Sequence, residues 1–134
     1  MKILLIEDSR FIRVAIERLL SKAGHSVVGV ENGLKGLREA NANPPDLILL
    51  DMMLPGLDGP GVLQALKKNL STGQIPVIVL TGLSKKNEAK LVGAGALAYI
   101  EKSSLDFEHS SSILLRWVET VADGLKVLNV DTAV

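Results

Sequence analysis

A chain of 134 residues, 47% of them apolar, is long enough for one domain with a real core and too apolar for a disordered composition. Fifteen basic and fifteen acidic side chains cancel, which argues against bulk electrostatic attraction to nucleic acid or to an anionic membrane. There is no cysteine, so disulfides, thiolate metal sites and a cysteine nucleophile are excluded.

The start, "MKILLIEDSR", has only four consecutive apolar residues, Ile3 to Ile6, before two acids. That run is too short for a signal-peptide core or a membrane span, and a soluble, cytoplasmic protein is expected. It suits a strand buried on both faces. Phe11, Ile12, Ala15, Ile16, Leu19 and Leu20 then recur at helical spacing, with Asp8 or Ser9 suited to the N-terminus and Gly24 to the stop. Ser26–Val30 is a weaker second strand. Gly36, Leu37 and Ala40 mark a short second helix, ended before Pro44-Pro45.

Leu47 to Leu50 is the third strand, followed by the turn-rich "DMMLPGLDG". Val62, Leu63, Leu66 and Leu70 mark a third helix, and Val77 to Leu80 a fourth strand. Ser84 caps a fourth helix, "KKNEAKLVGAG", whose Lys85-Lys86 pair is unfavourable to the helix dipole. Ala96–Ile100 is a fifth strand. Ile113, Leu114, Trp117, Val118 and Val121 make a fifth helix, with Trp117 packed on the core. Residues 123–134 form a tail in which Leu125 and Leu128 continue that stripe, as a helix extension or the start of a linker. His25 and His109 lie far in sequence from any acidic cluster and are expected at the surface.

Strand followed by helix, five times, predicts a single α/β domain over residues 1–122, with a parallel sheet and right-handed crossovers. Ligands of such sheets bind outside the carboxyl ends of the strands. The residues that close the strands are Glu7 and Asp8, then Asp51, Thr81 and Lys102. Three carboxylates would therefore converge with a hydroxyl and an ammonium. Two unit charges about 5 Å apart repel by roughly 3 kcal/mol at an effective dielectric near 20. A proton or a cation must relieve that, and Mg2+ suits a shallow, all-oxygen site. Glu7, Asp8 and Asp51 supply side-chain oxygens, and the Met53 backbone carbonyl is a further candidate. A carboxylate is a competent nucleophile for an acyl phosphate, with the cation, Lys102 and Thr81 stabilising the charge.

At these residues the chain resembles a two-component response-regulator receiver domain of the CheY-like type. The acid pair Glu7-Asp8, "DMMLPGLDG" around Asp51, "VIVLTG" ending at Thr81–Gly82 and "GAGALAYIEK" with Tyr99 and Lys102 occur in the family's order. The resemblance covers about residues 1 to 122. It implies a doubly wound, flavodoxin-like (βα)5 fold with strand order 2-1-3-4-5 and five flanking helices. It also implies Mg2+-dependent phosphorylation of Asp51 by a sensor histidine kinase or a phosphotransfer protein. Thr81 and Tyr99 would act as switch residues, reshaping the face made by helix four, strand five and helix five. That face would serve a downstream protein or a phosphorylation-linked homodimer, with no direct contact to nucleic acid or membrane.

Two departures from the family pattern stand out. Receivers usually carry proline after the lysine, and Ser103 stands there instead; because a cis bond without proline costs about 2.5–4 kcal/mol, a trans bond is expected. Met53 and Leu83, which in this family flank the path of the hydrolytic water, are both apolar, and a long-lived phosphorylated state is expected. The competing class is an aspartate-nucleophile phosphatase on a related sheet. Such enzymes usually place a second carboxylate two residues after the nucleophile, where this chain has Met53. A flavodoxin-like cofactor binder would want a Ser/Thr-rich loop in place of "EDSR".

Overall fold

The continuous apolar runs become strands because both of their faces are covered. The computed structural model describes residues 1–82, 93–105 and 113–132. Within it, β1 (Lys2–Ile6), β2 (Ser26–Val30), β3 (Leu47–Asp51), β4 (Val77–Thr81) and β5 (Ala98–Glu101) form one parallel sheet in the order 2-1-3-4-5. Every residue of β3 and β4 is buried. Alternate side chains serve opposite faces. Leu4, Ile6, Ile48, Leu50, Val77 and Val79 pack with Ala40 of α2 (Gly33–Ala42) and Val62, Leu63 and Leu66 of α3 (Gly59–Lys68). Ile3, Leu5, Leu47, Leu49, Ile78 and Leu80 pack with Ile16 and Leu20 of α1 (Arg10–Lys22) and Leu114 and Val118 of α4 (Ile113–Thr132).

Each early helix starts on a side chain that satisfies an otherwise unpaired backbone N–H. Ser9 accepts from the Ile12 amide, Asn32 from Lys35 and Asp58 from Gly61, with Pro60 in the first turn of α3. The last helix, the fifth of the sequence reading, runs without a break past residue 122, and Trp117 lies half-buried against its core cluster. Four helices are seen among the described residues. The predicted fourth helix, with Ser84, Lys85 and Lys86, falls mostly on residues 83–92, and His109 on residues 106–112. Both segments lie outside the described residues.

The fold matches the predicted sheet order, and three side chains depart from the sequence reading. Phe11 carries the right helical spacing but is 79% exposed, because it sits in the first turn of α1 on the side away from the sheet. Leu70 is not in the third helix. That helix stops at Lys68, and Asn69 turns the chain by accepting from the Ser71 amide, which leaves Leu70 exposed. His25 is not a surface residue. Its ring is 7% exposed, with Nδ1 3.1 Å from the Met1 amino nitrogen and Nε2 3.1 Å from Glu119 Oε1 on α4. The Lys102–Ser103 bond is trans, as expected. A short 3-10 turn over Lys102–Ser104 redirects the chain, closed by Leu105 N–H on Lys102 O and the Ser104 hydroxyl on Glu101 O.

Burial separates two apolar residues of one helix. Ile16→Ala should cost about 2–5 kcal/mol, while Phe11→Ala should stay within roughly 0.5 kcal/mol. Urea unfolding of the two variants checks this, and equal losses would contradict the placement of Phe11.

Candidate functional site

Register brings the strand ends together. Ile6 pairs with Leu50, so the residues that follow, Glu7 and Asp51, leave neighbouring strands side by side. Asp51 is level with Leu80, and Thr81 is level with Glu101. The site thus assembles from the C-terminal ends of β1, β3, β4 and β5. Glu7, Asp51 and Thr81 are buried, whereas Asp8 is exposed. One carboxylate oxygen from each of Glu7, Asp8 and Asp51 lies within 4.8 Å of the others.

Lys102 reaches back from β5 to the centre of this group. Its Nζ is 2.8 Å from Glu7 Oε1 and 3.0 Å from Asp51 Oδ1. The backbone amide of Met53 also donates to Asp51 Oδ1, at 3.0 Å, which fixes the carboxylate's orientation. The remaining oxygens, Glu7 Oε2 and Asp51 Oδ2, are buried without a hydrogen-bond partner. Buried polar atoms are normally satisfied, and each lapse costs about 1–3 kcal/mol. Two bare carboxylate oxygens beside a third acid fit a hard cation that takes oxygen ligands.

Without such an ion a proton does part of that work. Burial, and next a hydrogen bond to Asp51, push Glu7 up to about 8. Burial also acts to raise Asp51, but hydrogen bonds from Glu7, the Met53 amide and Lys102 outweigh it and hold Asp51 below the usual carboxylate range. Burial opposes the charge on Lys102, yet its hydrogen bonds to Glu7 and Asp51 leave it raised. In the ion-free pair Glu7 is thus the group biased toward holding a proton, and Asp51 the group biased toward ionisation.

The loop after Asp51 is held by a contact that permits only glycine. A Cβ on Gly59 would run into Met52 Cα and lie 2.6 Å from the Asp51 carbonyl oxygen. The Gly59 amide donates to Met52 O at 3.2 Å, and Gly56 takes a positive φ of 70° in the turn between. Met52 points into the core, whereas Met53 is 67% exposed. Tyr99 is half-buried against the core cluster on the α2–α3 side. Leu83 lies outside the described residues.

The sequence reading grouped Glu7, Asp8, Asp51, Thr81 and Lys102 correctly as strand-end residues. It missed Arg13, whose Nη1 donates to the Glu7 carbonyl oxygen at 2.8 Å. The available signal was its place one turn into the helix that starts directly after the acid pair.

A family model for the response regulator receiver domain matches residues 3–110. The chain belongs to this family. This receiver domain is 35% identical over 103 residues to protein PilH of Pseudomonas aeruginosa, covering 75% of this chain and 84% of that protein. It is 44% identical over 79 residues to the transcriptional regulatory protein AfsQ1 of Streptomyces coelicolor, but those residues span 34% of AfsQ1 and 59% of this chain. Among solved structures, the BeF3-activated receiver domain of Klebsiella pneumoniae RstA is similar with a TM-score of 0.79 and 30% identity, covering 90% of this chain and 97% of that one. No helix among the described residues is long and apolar enough to cross a membrane.

The raised Glu7 gives this receiver domain a signed pH dependence. Between about 4.5 and 8 the folded, metal-free protein holds a proton that the unfolded chain has released. Stability therefore falls as pH rises through that window, by at most ~1.4 kcal/mol per unit. Asp51 acts in the other direction at lower pH, its contribution being lost only as pH falls below the usual carboxylate range. A divalent cation bound at these carboxylates would replace the Glu7 proton, so it should stabilise the protein more at pH 8 than at pH 6. Thermal melts with and without Mg2+ at the two pH values check this; equal gains would contradict it.

Proposed function

We propose that the chain is a phosphorylation-activated switch of two-component signalling that accepts a phosphoryl group on Asp51. The observation that carries the reading is the buried Asp51 carboxylate, oriented by the Met53 amide and Lys102, with its other oxygen left bare. Glu7, Asp8, Asp51 and the Met53 backbone carbonyl would hold one Mg2+ there. The ion, when bound, neutralises phosphoryl oxygens.

The phosphoryl donor is a phosphohistidine of a sensor histidine kinase or phosphotransfer protein. An Asp51 oxygen forms the new P–O bond as the N–P bond breaks, and the imidazole nitrogen keeps that electron pair. No general base is needed, because Asp51 is already ionised. Lys102 exchanges its Asp51 contact for a phosphoryl oxygen, and the Thr81 hydroxyl, buried at the end of the next strand, donates to another. Tyr99 carries the change to the face formed by the fourth predicted helix, β5 and α4, where a downstream protein or a second copy reads it. The protein works by contact in the cytoplasm rather than by turnover. A phosphatase would need an acid/base at position 53, where an exposed methionine stands.

Asp51→Asn should abolish labelling by a small phosphodonor with Mg2+ and the Trp117 fluorescence response to beryllofluoride, the activator of the similar RstA domain. A response that survives the substitution would overturn Asp51 as acceptor. Met53→Asn places a polar group beside the acyl phosphate and should shorten its lifetime on the order of tenfold, equal to about 1.4 kcal/mol of barrier. Following loss of the phosphoryl label in Mg2+ buffer checks this, and an unchanged lifetime would remove Met53 as a shield against water.

A further inference from the structure

We infer that Arg13 is a positioning residue for the acid pair, and that Gly29 on the edge strand supplies the space it needs. This rests on the metal site proposed above and adds a residue outside it. The Glu7 carbonyl belongs to the peptide that joins Glu7 to Asp8. Fixing that peptide plane fixes how both carboxylates leave the backbone. The Glu7 amide is held by Val30 O at 3.0 Å, the last residue of β2. The carbonyl on the other side is held by Arg13 Nη1 at 2.8 Å. Arg13 is itself tied to the start of α1, its amide donating to Ser9 O at 2.9 Å. The helix that follows the acid pair thus folds back to clamp it.

The stem of Arg13 lies across β2 where Gly29 has no side chain. A Cβ at Gly29 would collide first with the flexible end of Glu17, at Oε1, and would press on the Arg13 stem, 3.1 Å from Cγ and Cδ. No turn explains this glycine, since it is an ordinary strand residue paired with Leu5. The nearby acid at the end of β2, Glu31, is paired with Lys35. Among the described residues the side-chain hydrogen bond of Arg13 goes to a backbone oxygen next to the proposed cation ligands.

Charge and position predict opposite signs. A guanidinium repels a divalent cation, so its loss would tighten Mg2+ binding if charge were its only effect. Loss of a group that orients ligands weakens binding, commonly by tenfold or more. The experiment is calorimetric titration of the full chain with MgCl2 for the unsubstituted protein, Arg13→Met, Gly29→Ala, the double variant and Arg18→Met. Arg18 is an exposed arginine of the same helix. Unfolding curves confirm that each variant is folded at the titration temperature.

Arg13→Met should raise the Mg2+ Kd about tenfold. Gly29→Ala, which changes no charge, should raise it about threefold, and the double variant should bind no more weakly than Arg13→Met alone, because both act through one contact. Arg18→Met should leave binding unchanged or slightly tighter. Equal or tighter binding by Arg13→Met, or a Gly29→Ala effect that adds in full, would overturn the inference. A second readout needs no metal: the Asp8 amide resonance should shift in Arg13→Met and Gly29→Ala and stay in place in Arg18→Met. An unmoved Asp8 resonance also overturns the inference. Should the unsubstituted protein bind no Mg2+ while Asp8 shifts as described, the metal reading fails and the positioning role stands.

Discussion

Two carboxylates at the ends of neighbouring buried strands repel each other, and much of this domain is arranged around that repulsion. Parallel pairing of β1 with β3 leaves Glu7 and Asp51 no other place to go. The sheet also denies them water, so solvent cannot screen the pair. What relieves it is local: a proton on Glu7, the Lys102 ammonium between both groups, and the Met53 amide on Asp51. Where Glu7 gives up that proton, Glu7 Oε2 and Asp51 Oδ2 have no hydrogen-bond partner. The arrangement is stable enough to fold and unsatisfied enough to favour a cation and an incoming electrophile.

Lys102 can take that central position without the proline that usually follows it. The trans Lys102–Ser103 bond and the 3-10 turn behind it redirect the chain by ordinary means, with Ser104 and Leu105 supplying the closing hydrogen bonds. A four-residue β5 delivers the lysine, and its long stem spans β4 to reach the other strands. The placement of the ammonium thus depends on strand order and side-chain length more than on the backbone isomer after it.

Much of this was legible in the residues themselves. Apolar runs of four mark strands buried on both faces, and in a parallel sheet the polar residues closing them must meet at one edge. That logic located Glu7, Asp51, Thr81 and Lys102. It could not place Phe11, because helical spacing describes a stripe and not the part of it the sheet covers. Leu70 fits the stripe of α3 by spacing, but the helix ends first, where Asn69 makes its own turn. His25 and Arg13 escaped for a shared reason. Their partners are Glu119, 94 residues away, and a backbone carbonyl, and neither leaves a pattern in composition or spacing.

The contact at Gly59 has a mechanical consequence. The first turn of α3 rests directly on the backbone that carries Asp51, with no side chain between them. Repulsion between touching atoms rises steeply, while their attraction fades gradually with distance. The junction is therefore stiff in compression, and the Gly59 N–H on Met52 O ties it in extension. A load that pushes the loop toward the helix meets hard contact, and a load that draws the loop outward works against one hydrogen bond. The response to force at this end of the sheet has a direction set by one missing methyl group.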